Sequence, residues 1–140
     1  MAHTGRCLCG AVTLSIESDP IGARTCWCRD CQKFGGGNGT TNAFFRVDDI
    51  GQTGELTWYE SVADRGNTTH RAFCPTCGSH VFTKGSGAPH LCGVRVSILD
   101  DRELIAPQAV IWIDSAPTWA ALDPRLPNFP KAPPPPPARD

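Results

Sequence analysis

Cys74-Pro75-Thr76-Cys77-Gly78 carries a strong metal-binding pattern in this sequence. Two cysteines three positions apart in a tight turn direct their thiols toward one centre, which is the spacing of a zinc knuckle. Gly78 follows directly and supplies the positive φ that lets backbone N–H groups turn toward the thiolates. The stretch therefore predicts half of a metal site in the middle of the chain.

The segment Cys7-Leu8-Cys9-Gly10 near the N-terminus is the natural second half of that site. In an extended segment, residues i and i+2 share a face, so both thiols can reach one metal ion. Pairing the two segments predicts a closed tetrahedral site that ties the N-terminus to the middle of the chain. Because sulfur fills all four positions, we expect this zinc to be structural.

A third cluster, Cys26-Trp27-Cys28-Arg29-Asp30-Cys31, brings the clustered cysteines to seven of the eight in the chain. Seven is one short of two closed four-sulfur sites, so this trio predicts a zinc ion with an open position, where chemistry can occur. A zinc ion held by three thiolates has a formal charge of −1, which makes it a poor generator of hydroxide and a good acceptor of a fourth thiolate. The predicted ligand is therefore a thiol.

The alternative for the trio is a second structural zinc completed by another side chain of the chain. The candidates for that fourth ligand are Cys92, His70, His80 and His90. Cys92 also fits a buried position as a small hydrophobic residue on its strand.

Length and composition favour one domain of 140 residues with a net charge of −1. No apolar signal core opens the chain and no segment approaches the length of a membrane span, so we expect a cytoplasmic protein with no membrane partner. Thiols stay reduced in that compartment, which favours metal binding over disulfides. The balanced charge argues against a zinc-ribbon protein that binds nucleic acid.

Short alternating segments separated by turn residues predict a mainly β domain. Ala11 to Glu17 alternates as a half-buried strand, and Leu91 to Leu99 alternates again. Further strands are expected over 41–47, 55–61 and 110–113, and a short helical turn over 28–34; residues 71–73 lead into the knuckle and residues 81–84 lead out of it. The run from Pro133 to Pro137 predicts polyproline II structure or disorder, so we place a zinc-binding domain over 1–132 and a Pro-rich disordered tail over 133–140.

Basic residues flank the trio and the knuckle, and we expect them to offset thiolate charge and bind the carboxylates of a peptide-like ligand. They are Arg24, Arg29, Lys33 and Arg71. The alternative is that they are solvated surface charges. Trp27, between two trio cysteines, either covers the open position or packs in the interior.

The sequence resembles the glutathione-dependent formaldehyde-activating enzyme family, which also includes centromere protein V. The similarity runs in order over about residues 5–130 and is carried by the stretches 5–12, 26–33, 71–79, 99–101, 113–119 and 126–129. Two positions at the trio differ from the family pattern: Trp27 stands where His is usual, and Gln32 where Arg is usual.

The resemblance implies a β-tent fold, in which small coiled antiparallel sheets are organised around zinc. It implies a structural zinc on Cys7, Cys9, Cys74 and Cys77, and a second, catalytic zinc on Cys26, Cys28 and Cys31. It also implies a carbon–sulfur lyase acting in the synthetic direction, which joins glutathione to formaldehyde and gives S-(hydroxymethyl)glutathione.

The sequence thus supports a zinc enzyme whose partners are a small thiol, such as glutathione, and a small aldehyde. Its rival is a non-catalytic protein, either a thiol carrier or a zinc-stabilised interaction module. Oligomeric state is not indicated by any pattern in the sequence.

Overall fold

The computed structural model describes residues 2–63, 66–103 and 105–133 and shows a mainly β protein, as predicted. Within these residues there are ten strands, and one six-residue α-helix, α1, spans Arg29–Phe34. Three 3₁₀ helices span Val47–Asp49, Val96–Ile98 and Ile113–Ser115. The strands are β1 (His3–Arg6), β2 (Thr13–Ile16), β3 (Gly22–Cys26), β4 (Thr40–Arg46), β5 (Ile50–Thr53), β6 (Thr57–Val62), β7 (Thr68–Phe73), β8 (His80–Gly85), β9 (Leu91–Arg95) and β10 (Val110–Ile111).

The strands form two sheets. The smaller sheet has the order β1-β2-β5, and both of its pairs are antiparallel. The larger sheet has the order β10-β3-β4-β9-β8-β7-β6, in which only the pairing of β10 with β3 is parallel. No helix in the part of the chain that the structure describes has the length and apolar character needed to cross a bilayer.

The hydrophobic core lies between the smaller sheet and one face of the larger sheet. Leu14 and Ile16 of β2 are buried, which confirms the predicted alternation of that strand. Phe45 of β4 and Val94 of β9 are fully buried in the same cluster. Because successive side chains of a strand point to opposite faces, the neighbours of these residues lie on the other face of the larger sheet.

That second face of the larger sheet is the one next to the cysteine trio. Cys26 at the end of β3 pairs with Thr40, and Asn42 of β4 pairs with Arg24 on one side and Arg95 on the other. These positions alternate with the core positions Ala23 and Ala43, so they share the face opposite the core.

The predicted boundaries differ from the observed ones in several places. Strands β1, β3 and β5 were not expected, and no strand was assigned to the segments that form β7 and β8. The predicted strand from Leu91 to Leu99 ends at Arg95, where a 3₁₀ helix follows. The predicted strands over 41–47 and 55–61 and the helical turn over 28–34 are present with shifts of one or two residues. The predicted Pro-rich tail lies outside the described residues, apart from Pro133.

Candidate metal centres and active site

Four cysteine sulfurs meet where the β1–β2 turn approaches the β7–β8 turn. The sulfurs of Cys7, Cys9, Cys74 and Cys77 all lie within 4.8 Å of one another. The Cys7–Cys9 and Cys9–Cys74 sulfur distances are 3.6 and 3.7 Å. A zinc–sulfur bond of about 2.3 Å places the sulfurs of a tetrahedral site about 3.8 Å apart, so this donor set fits zinc.

The two turns that present these sulfurs are built in the same way. The Cys7 N–H donates to the Val12 carbonyl at 3.0 Å, and the Cys74 N–H donates to the Ser79 carbonyl at 2.9 Å. A glycine follows each pair with a positive φ, +82° at Gly10 and +77° at Gly78. The prediction for Gly78 is confirmed, because a residue with a Cβ is strained at such a φ.

Hydrogen bonds favour the thiolate form of Cys7 and Cys77, whereas burial and the neighbouring sulfurs outweigh a backbone hydrogen bond at Ala11 and raise the pKa of Cys9 to about 11. The Val12 N–H donates to Cys7 Sγ at 3.3 Å. The Ser79 hydroxyl, 3.2 Å from Cys77 Sγ, contributes most to a pKa of Cys77 lowered to about 5. The same hydroxyl accepts from the Leu8 N–H at 3.1 Å and so links the two turns directly. Since a metal binds thiolates, this environment is suited to a metal ion.

The trio of cysteines lies where β3 passes into α1. Cys26 ends the strand, Cys28 is the N-cap of the helix, and Cys31 lies in its first turn. The Cys31 N–H donates to Cys28 Sγ at 3.2 Å. The three sulfurs lie within 4.8 Å of one another, so this group could also hold a metal ion.

No fourth ligand joins the trio from the described part of the chain. Among residues 2–63, 66–103 and 105–133, no other His, Cys, Asp or Glu belongs to this group of sulfurs. The predicted alternatives Cys92, His70, His80 and His90 are therefore not brought to it. Cys92 is instead buried in the core, where burial raises its thiol pKa to about 12, and its interpretation as a small hydrophobic residue is confirmed.

The trio has an uneven electrostatic environment. Contacts with Cys26 and Cys28 lower the pKa of Cys31 to about 2, and the positive charge of Arg95 acts in the same direction. Contacts with Cys28 and Cys31, together with burial, raise the pKa of Cys26. Cys31 is therefore the sulfur that most readily carries negative charge, and its charge makes a second thiolate beside it costly without a cation.

Gln32, which stands at a position where the family pattern has Arg, fixes α1 in place. Its side-chain amide donates to the carbonyls of Trp27 and Ser115, both at 2.8 Å. Its own carbonyl oxygen accepts from Arg29 Nη1 at 3.1 Å. The side chain is buried and its polar atoms are engaged within the protein, so Gln32 holds the trio in position.

Trp27 packs in the interior, which decides between its two predicted roles. Trp27 is 5% exposed, and its backbone N–H donates to the Ile111 carbonyl at 3.0 Å. A Cβ at Gly39 would lie 3.1 Å from the Trp27 ring and 2.8 Å from the Cys26 carbonyl oxygen. The indole is therefore seated against the glycine-rich loop, and Gly39 is required for that contact.

We expect Gln32→Ala to lower the free energy of unfolding by about 1–3 kcal/mol, because two buried carbonyls lose their donors. Release of α1 should also weaken metal retention by the trio while leaving the four-sulfur group intact. Denaturant unfolding and metal content measure the two effects. Lys33→Ala, an exposed change on the same helix, is the matched control and should stay within about 0.5 kcal/mol of the wild type. Equal behaviour of the two variants would contradict the positioning role of Gln32.

The four predicted carboxylate-binding residues occupy different environments. Arg24 is half-buried, with its guanidinium 4.9 Å from the centroid of the Phe44 ring. Arg29 and Lys33 are exposed on α1. Arg71 is buried, donates from Nη1 to the Ser61 hydroxyl at 2.9 Å, and lies 4.8 Å from the centroid of the Phe34 ring.

Sequence reasoning missed Arg95, a second buried arginine beside the trio. It is 4% exposed and donates from Nη1 to the Asn42 side-chain oxygen at 2.9 Å. Its place at the end of a strand of apolar residues was visible in the sequence. Its burial was not, because burial depends on the pairing of β9 with β4.

Two shallow concavities of about 300 and 160 Å³ lie elsewhere on the molecule. Trp58 and Lys84 line both of them. Neither is lined by a sulfur of the trio, so the trio is distinguished by its sulfur chemistry and not by a large cavity.

Comparison with known proteins agrees with this sulfur chemistry. The profile of a family described as glutathione-dependent formaldehyde-activating enzyme matches residues 2–115. The crystal structure of a Rhodobacter sphaeroides protein, a structural-genomics target, is similar with a TM-score of 0.58 and 30% sequence identity. The match covers 74% of this chain and 96% of that one. The comparison with curated proteins gives no match.

Proposed function

This chain belongs to the glutathione-dependent formaldehyde-activating enzyme family, and we propose that it is a zinc-dependent enzyme of the carbon–sulfur lyase type. In this proposal it joins glutathione, or a similar small thiol, to formaldehyde or a related aldehyde and gives S-(hydroxymethyl)glutathione. The family assignment supports the reaction class. The observation that carries the proposal is the contrast between a group of four sulfurs and a group of three to which no described side chain adds a fourth ligand.

The proposal assigns different roles to the two sulfur groups. Cys7, Cys9, Cys74 and Cys77 would hold a structural zinc within a β-tent domain that we place over 1–132. The trio of Cys26, Cys28 and Cys31 would hold the catalytic zinc. When bound there, zinc offers its remaining position to a thiol and favours the thiolate form. A cytoplasmic location fits this use of reduced thiols.

The reaction forms one carbon–sulfur bond. The carbonyl π pair of the aldehyde moves to oxygen, and the proton lost by the thiol balances that oxygen in the hydroxymethyl product. We assign the binding of glutathione carboxylates to Arg24, Arg29 and Lys33, which lie on β3 and α1 next to the trio sulfurs. Arg71 lies deeper, and its charge would help to stabilise the developing oxyanion.

The chain's main contribution would be positioning. Cys28 is half-exposed at the start of α1, while Cys31 and Gln32 are buried behind it. Gln32 fixes the helix, and the register of β3 with β4 fixes Cys26. A thiol and an aldehyde held in contact at this point react as neighbours, which lowers the entropic part of the barrier.

We expect the zinc-loaded protein to accelerate the condensation of glutathione with formaldehyde in a saturable manner. Exchange NMR between hydrated formaldehyde and the adduct measures the rate against the uncatalysed reaction, which is already appreciable in water. Calorimetry with glutathione is run in parallel. If glutathione binds but the condensation is not accelerated, the protein is a thiol carrier and not an enzyme. If glutathione neither binds nor reacts faster, the protein is an interaction module.

A further inference from the structure

Arg95 is a buried cation that lacks a carboxylate partner. Its side chain is 4% exposed, and in residues 2–63, 66–103 and 105–133 no Asp or Glu forms an ion pair with it. Burying a guanidinium without a counter-charge is costly, so such a residue persists only where the surroundings supply negative charge. Its only side-chain partner in that part of the chain is the neutral Asn42 amide.

Part of the Arg95 guanidinium makes no hydrogen bond to the described residues. Nε and Nη2 of Arg95 are both buried and have no hydrogen-bond partner in the structure. Arginine presents its five N–H groups as a planar fork, and Asn42 uses only part of it. The side chain near Arg95 that could also carry a positive charge, His80, stays neutral, because burial and then the charges of Arg95 and Arg71 lower its pKa.

Strand register places Arg95 on the same face as the trio. Arg95 pairs with Asn42, and Asn42 lies two residues from Thr40, which pairs with Cys26. Side chains two residues apart on a strand point to the same face, so Arg95 and Cys26 flank one strand, β4, on the side away from the core. Burial lowers the pKa of the Arg95 guanidinium, and a negative charge on Cys31 acts in the opposite direction.

The formal charges of the metal-loaded trio and of Arg95 are equal and opposite. Three thiolates and one divalent metal ion have a formal charge of −1, and the guanidinium contributes +1. Unlike lysine, arginine stays charged when buried and directs several N–H groups at one acceptor. Partners of metal ligands beyond the coordination shell typically change metal affinity by about 10–100-fold when they are removed.

From these observations we propose that Arg95 is the built-in counterion of the Cys26–Cys28–Cys31 centre. It is a positioning residue that allows the trio, of which Cys31 is buried, to hold a metal ion with three thiolates and no other protein ligand from the described residues. The inference rests on the proposed metal ion at the trio, but it does not require that the protein turn over any substrate.

The test compares Arg95→Met with Arg95→Lys in the full-length protein. Methionine keeps much of the volume and removes the charge, whereas lysine keeps the charge and loses the fork. Zinc itself is the probe, and its affinity at each site is measured by competition with a chromophoric chelator. We expect Arg95→Met to weaken the trio's zinc about 10–100-fold and Arg95→Lys to weaken it less.

Two internal controls make the result decisive. The four-sulfur site of the same molecule should keep its zinc in both variants, and Arg102→Gln, an exposed change, should alter neither site. If Arg95→Met holds the trio's zinc as tightly as the wild type, or if Met and Lys weaken it equally, the counterion role is wrong. If Arg95→Met loses both zinc ions through misfolding, Arg95→Lys is compared with Asn42→Ala, which removes the side-chain partner that Arg95 has among the described residues. Unchanged zinc affinity in Asn42→Ala supports a charge effect. A loss of affinity equal to that of Arg95→Lys overturns it.

Titration with glutathione and with 2-mercaptoethanol, which lacks carboxylates, separates this role from ligand recognition. If Arg95→Met weakens the binding of glutathione but not of 2-mercaptoethanol, and leaves the trio's zinc affinity unchanged, Arg95 binds the ligand carboxylate and the counterion role is wrong. If the wild type accelerates no reaction, the proposed enzyme fails, while the zinc measurements still test Arg95.

Discussion

Cys74→Ser should unfold this protein under conditions in which the wild type is fully folded. Cys74 is fully buried, and its sulfur lies 3.7 Å from that of Cys9, so the proposed zinc ties the β7–β8 turn to the β1–β2 turn. Structural zinc sites contribute about 10–16 kcal/mol of apparent binding free energy. Whole domains are stable by only about 5–15 kcal/mol, so this loss exceeds the typical margin. Far-UV circular dichroism and zinc content would show the change.

Cys92→Ala is the matched control for that experiment. Cys92 is also a buried cysteine of the larger sheet, at 3% exposure, but it belongs to neither sulfur group. Loss of its sulfur leaves a small cavity and should cost far less than a metal site. A folded Cys74→Ser variant with normal zinc content would show that the four-sulfur group has no structural role.

Unlike Cys74→Ser, Cys28→Ser should leave the protein folded. It should lose one of the two expected zinc ions and abolish catalysis. Cys28 is half-exposed at the N-cap of α1, where its sulfur accepts from the Cys31 N–H at 3.2 Å. Serine is a favoured N-cap residue, so its hydroxyl can take over this hydrogen bond and keep the helix. A hydroxyl is a much poorer zinc ligand than a thiolate, so the metal is lost.

Metal analysis, thermal unfolding and the condensation assay together measure this outcome. Arg102→Gln, an exposed change away from the trio, is the control and should keep both ions and full acceleration. Retention of both ions in Cys28→Ser, or full acceleration without the second ion, would refute the assignment of the open site.

The sulfur groups could be predicted from the sequence because their geometry is local. Two cysteines in Cys74-Pro75-Thr76-Cys77-Gly78 face one point whatever surrounds them, since the turn and the positive φ of Gly78 are properties of five residues. The pairing with Cys7 and Cys9 followed from the number of sulfurs that a tetrahedral ion needs. The strand β2 was predicted for a similar reason, because its alternation is complete within a few residues.

Two of the strands that were missed, β3 and β5, depend for their formation on partner strands elsewhere in the sheets. β3 contains Gly22, Ala23, Arg24 and Thr25 and shows no clear alternation, yet it is held between β4 and β10. β5 follows a 3₁₀ helix directly and is mostly exposed, so it is a strand only because β2 lies beside it. Such segments adopt the extended state through tertiary hydrogen bonds and not through their own propensity.

Sequence alone therefore determined which cysteines act together and that the domain is mainly β. The other features follow from tertiary contacts. Among the described residues no fourth ligand joins the trio, and Trp27 packs inward. Gln32 holds α1, and Arg95 is buried on the face of Cys26. The two kinds of feature differ in the sequence separation of the residues that set them. Ligand spacing and alternation are set by bonds a few residues long, whereas burial and charge pairing depend on strand register between residues as far apart as Asn42 and Arg95.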